Sequence, residues 1–139
     1  MLKRIFSFKY RWIILILYFI LLVISIVFKF FSLKHLDIEV NNEYNNYKLF
    51  YFPYYNKEFV IQCILNVLSF IPFGFLLVIV INKYEIVLSL LFIILSSLCF
   101  EIIQLEFKIG IFDINDLFFN VFGGLFGATC CITIKRRIS

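Results

Sequence analysis

Six polar side chains interrupt the apolar stretches of this chain in a pattern that could do chemistry: Asn66, Glu101, Gln104, Asp113, Asp116 and Asn120. Glu101 and Gln104 are three apart and Asp116 and Asn120 four apart, so each pair lies on one face if its segment is helical. Glu101 and Asp116 could then serve as general acid and base, or as oxygen ligands for Mg²⁺ or Ca²⁺. A structural reading stands beside this one. In a low-dielectric interior the Glu101 carboxyl could keep its proton and donate to Asn66 or Asn120, locking helices together. Asp113 has its own structural reading, because Asp113-Ile114-Asn115-Asp116 is a plausible helix start, with a side chain over the free amides and acids at the positive end of the dipole.

The elements that must position these groups follow from composition. The chain has 139 residues, of which 63% are hydrophobic and 16% charged, and its mean hydropathy is +1.01. A single small domain cannot bury that much apolar surface from water, so the expected solvent is lipid. The net charge of +4 comes from basic residues gathered at the chain ends, which reads as a topology signal and not as a nucleic-acid footprint. Four apolar runs of about the length needed to cross a ~30 Å hydrocarbon core are expected over 11–31, 59–81, 86–107 and 116–134. The fold class is therefore an all-α membrane protein, a bundle of about four transmembrane helices forming one domain over 1–139. The first run is too long for a signal peptide and no small-x-small cleavage site follows it, so it reads as an uncleaved anchor.

Counting Lys and Arg by side places both termini in the cytoplasm. The polar, tyrosine-rich stretch 32–58 is then an extracellular loop lying at the headgroups, and His35 belongs to that interface. Pro72 should kink the second span. Gly123 and Gly127 form a small-x-x-x-small face suited to packing the fourth helix against the second or third, with an oligomer interface as the alternative. Depths counted at ~1.5 Å per residue put Glu101 ~9 Å, Gln104 ~5 Å, Asn66 ~10 Å and Asn120 ~6 Å below the outer ends of their spans. Polar groups from three spans thus converge near one leaflet. Cys63, Cys99, Cys130 and Cys131 lie in apolar runs without metal or redox spacing. P-loop, H-E-x-x-H and G-x-S-x-G patterns are absent, and Ser96 and Ser97 have no evident base beside them. Nothing in the pattern calls for a metal, cofactor or disulfide.

Two segments carry a family resemblance. Glu101-Ile-Ile-Gln104 through Asp113-Ile-Asn-Asp116-Leu-Phe-Phe-Asn120-Val-Phe-Gly123-Gly124-Leu-Phe-Gly127 resembles the signature of VanZ-like membrane proteins. Asn66-Val-Leu-Ser-Phe-Ile-Pro72-Phe-Gly74 resembles the N-x-x-x-F-x-P-x-G segment of the same family. The resemblance marks Pro72, Gly74, Gly123, Gly124 and Gly127 for helix packing and the six polar residues as a shared cluster. The family takes its name from an accessory protein of glycopeptide resistance, and the resemblance implies a bacterial cytoplasmic-membrane protein associated with teicoplanin susceptibility. Many members carry an Arg shortly before the D-x-x-D step, where this chain has Gly110 preceded by Lys108. Three functions fit: a non-enzymatic envelope protein that binds a lipid-linked cell-wall precursor or a lipophilic glycopeptide, an enzyme acting on a lipid head group through Glu101 and Asp116, or a flippase. The expected partners are membrane lipid and possible further copies of the chain, with no nucleic acid.

Overall fold

The computed structural model describes residues 8–34, 47–48, 57–81, 83–107 and 112–138. Four helices account for nearly all of them: α1 Phe8–Lys34, α2 Lys57–Val80, α3 Glu85–Glu106 and α4 Ile114–Ile138. Two short strands, β1 Tyr47–Lys48 and β2 Phe112–Asp113, pair in parallel with Tyr47 opposite Phe112 and Lys48 opposite Asp113. His35 and most of the tyrosine-rich stretch lie outside the described residues.

By length and composition α2, α3 and α4 can each cross a membrane. The surfaces of all four helices demand an apolar solvent, since Leu17 and Ile24 of α1, Leu68 of α2, Val87 of α3 and Phe122 of α4 are all more than half exposed. Exposed apolar side chains in this number would be an aggregation liability in water. Inside, Leu15 and Leu22 of α1 join Phe70, Phe73, Leu77 and Val80 of α2 and Ile93 and Phe100 of α3 in one cluster. Rings hold its centre: Phe70 meets Phe73 and Phe100 edge-on at 5.8 and 6.3 Å, and Phe19 of α1 reaches Phe73 and Phe100 at 5.8 and 5.7 Å. Arg11, expected among the topology signals, is buried on α1, whereas Lys9 stays exposed.

Among the described helices α2 and α4 make the most extensive contact, and glycine permits it. A Cβ built on Gly74 would lie 1.9 Å from the Gly124 carbonyl oxygen; on Gly123 it would lie 2.3 Å from that of Val67, and on Gly127 1.9 Å from that of Ile71. The pairings Val67 with Gly123 and Ile71 with Gly127 rise together along both helices, so α2 and α4 run parallel. Contact at this range sets Cα–H groups against carbonyl oxygens and maximises dispersion, the main attraction left to helices in lipid. Gly124 differs, because its Cβ would meet the Ile93 side chain at 2.7 Å and so turns toward α3. Of the packing partners left open by the sequence, α2 takes Gly123 and Gly127.

α2 continues through Pro72 as one helix. Proline removes the donor for the Leu68 carbonyl and crowds the turn before it, and on that turn the Tyr18 hydroxyl donates to the Ser69 carbonyl at 2.7 Å. An aromatic residue of α1 is thereby tied to the turn of α2 that precedes Pro72.

Candidate functional site

The polar residues gather where α3 ends and α4 begins. Ser89, Ile93, Ser97, Phe100 and Glu101 form the buried face of α3, and spacings of eight from Ser89 to Ser97 and four from Ser97 to Glu101 line up these polar side chains along that face. Glu101 is 1% exposed. Its Oε2 accepts the backbone N–H of Asp113 at 2.9 Å, so a carboxyl on α3 fixes the backbone of β2 immediately before α4. Because β2 pairs with β1, that one acid also anchors the point where the two connections of this end meet.

Asp113 caps α4 as its sequence predicts. Its Oδ1 accepts both the backbone N–H and the side-chain Nδ2 of Asn115, each at 2.9 Å. The first is the bond a helix cap makes to the second residue of its helix. Asn115 is itself 1% exposed, and Asp116 follows it, half-buried in the first turn, where an acid complements the helix dipole.

One turn further into the bundle, Asn120 donates from Nδ2 to Ser97 Oγ at 2.9 Å. Asn120 therefore reaches α3 through Ser97, and the anticipated bond between Glu101 and Asn120 is replaced by two separate ties, Glu101 to Asp113 and Asn120 to Ser97. Asn66, adjacent to the Val67 that meets Gly123, lies within about one turn of the Asn120 level. Its Nδ2 is buried and has no hydrogen-bond partner among the described residues. Gln104 is half-buried on the last turn of α3 and joins none of these bonds.

Two members of this layer escape a reading by sequence. Ser97 has no base beside it in the sequence, yet it stands four residues before Glu101, the spacing that places both on one helix face. Asn115 had the two-residue offset from Asp113 typical of a side chain folding back on its own turn. Among the described residues no group of three His, Cys, Asp or Glu side chains is arranged to hold a metal ion.

Apolar outer faces, backbone-to-backbone helix contact and a closed polar layer at one end define the class: a helical membrane protein. Within that class the chain belongs to the VanZ/LLP1 family, whose profile matches residues 13–135. It is 35% identical over 114 residues to Protein VanZ of Enterococcus faecium, an alignment covering 82% of this chain and 68% of that protein. No solved structure matches.

Proposed function

We propose that the chain is a multi-pass protein of the bacterial cytoplasmic membrane that acts at the outer leaflet in cell-envelope physiology, lowering susceptibility to teicoplanin by binding without turnover. In this reading α1 is the fourth span, its 27 residues giving about 40 Å of helix. Both termini lie in the cytoplasm, as the Lys and Arg distribution favours. The Glu101 end then faces outward, and its candidate ligands are a lipid-linked cell-wall precursor or the lipophilic glycopeptide itself.

The observation that carries the proposal is the placement of Glu101. An acid 1% exposed in a membrane bundle costs on the order of 3 kcal/mol or more to insert, and here it is spent on the backbone N–H of the segment joining α3 to α4. The drug is suggested by the resemblance to VanZ-like proteins, a family named for an accessory protein of glycopeptide resistance, to which the match with Protein VanZ adds support. Teicoplanin susceptibility of a sensitive Gram-positive host tests the reading, with wild-type chain, Glu101→Gln and Asp116→Asn compared at equal membrane abundance. Protection by the wild type that both variants lose is the expected result. Protection that survives both substitutions removes this cluster from the mechanism, and none from the wild type rejects the resistance reading.

A further inference from the structure

The opposite end of the bundle, about 24 Å along α3 from Glu101, carries a second arrangement of charge. Lys135, on the last turns of α4, donates from Nζ to Glu85 Oε1 at 3.0 Å and also to the Val78 carbonyl in the last turn of α2. That side chain ties α4 to the α2–α3 turn and places the residues flanking each of its partners together. Glu85 is the acid at this end among the described residues, and Lys135 already compensates it. Lys83, two residues before Glu85, and Arg136 and Arg137, directly after Lys135, are all exposed.

Between α2 and α3 the backbone is held in an unusual form. Tyr84 has φ 53 and ψ 41 and is 66% exposed, a left-handed conformation that a bulky aromatic residue rarely adopts. Lys83 Nζ lies 5.1 Å from the centroid of its ring, within cation–π range. An outward tyrosine at the end of a membrane helix suits the headgroup zone, where the ring is apolar and the hydroxyl wet. Among the described residues Lys83, Arg136 and Arg137 pair with no acid, and cations at the same end of the bundle as this tyrosine suit a phosphate.

We infer that Lys83, Tyr84, Arg136 and Arg137 form a binding site for the head group of an anionic phospholipid, the cations taking the phosphate and the tyrosine ring lying against the glycerol and upper acyl chain. Lys135 positions the site through Glu85 and Val78 without contacting the lipid. This site lies at the opposite end of the bundle from the Glu101 cluster and acts independently of it.

The test uses the full chain purified in mixed micelles, with phosphatidylglycerol or phosphatidylcholine of identical acyl chains added in matched amounts. Bound lipid is read by native mass spectrometry and stability by thermal unfolding. Phosphatidylglycerol is expected to remain bound and to raise Tm by ~4 °C through preferential binding to the folded state, an effect that weakens as salt is added. Lys83→Gln/Arg136→Gln/Arg137→Gln should weaken phosphatidylglycerol binding by about tenfold. Should that variant unfold early, Arg136→Gln/Arg137→Gln and Lys83→Gln alone, each read by mass spectrometry at low temperature, take its place. Equal retention of the two lipids, undiminished binding in the variants, or an equal shift from inorganic phosphate would each overturn the assignment.

Discussion

Glu101 and Asn120 make different kinds of bond, and substitutions should separate them. The Glu101 carboxyl satisfies a backbone N–H. Glu101→Leu removes that acceptor and leaves the Asp113 amide unsatisfied, at a cost of roughly 1–3 kcal/mol. Glu101→Gln retains an acceptor oxygen and should cost under about 1 kcal/mol, so any loss of function it causes reports on the carboxyl group itself and not on folding. Reversible unfolding in mixed micelles measures both. Asn120 instead bonds a side chain, Ser97, and a double-mutant cycle with Asn120→Ala and Ser97→Ala should give a coupling of about 0.6 kcal/mol and no more than ~1.7. A coupling near zero would show that the pair contributes nothing in the folded membrane protein.

Helix pairs in lipid are held by close approach, and the α2–α4 pair makes the consequence testable. Gly127→Ala and Gly74→Ala each set a methyl group 1.9 Å from a backbone carbonyl oxygen, which no rotamer change can relieve. The helices must part, and each substitution should cost at least ~2 kcal/mol. Gly124→Ala meets the buried, β-branched Ile93 side chain, at 2.7 Å, which must shift as well, but a side chain can repack where a backbone carbonyl cannot. Its cost should be the smallest of the three. Thermal unfolding of the three variants in one detergent gives the order, and a Gly124→Ala variant as damaged as Gly127→Ala would contradict this account of the interface.

The assembled bundle is fastened differently at its two ends. One end is closed by Glu101, Asp113, Asn115 and the strand pair, the other by Lys135 on Glu85 and Val78. Lys135→Ala removes a donor from two helices at once, whereas Glu85→Ala removes one of its two acceptors. The first should therefore be the more destabilising, and their coupling should be about 1 kcal/mol after allowance for the partial exposure of both groups. Unfolding of the two single variants and the double variant measures this. Equal costs would mean that the Val78 carbonyl gains nothing from the lysine.

Hydropathy and turn chemistry, both local properties, determined the helices from sequence alone. The apolar runs at 59–81, 86–107 and 116–134 became α2, α3 and α4 within a few residues, because length against the hydrocarbon thickness and the polar breaks between runs leave little choice. The Asp113 cap was legible for the same reason, since donor and acceptor lie two residues apart. Spacing also showed that Gly123 and Gly127 share a face. It could not show which helix they meet, and only the tertiary structure decided for α2, where the Val67 and Ile71 carbonyls lie against them. The same holds for Asn120 choosing Ser97, for Tyr18 choosing Ser69, and for Lys135 reaching across to Val78 and Glu85. Each of those bonds joins residues more than twenty positions apart, and in a chain whose helices are nearly uniform in hydropathy no periodicity encodes which faces turn toward one another.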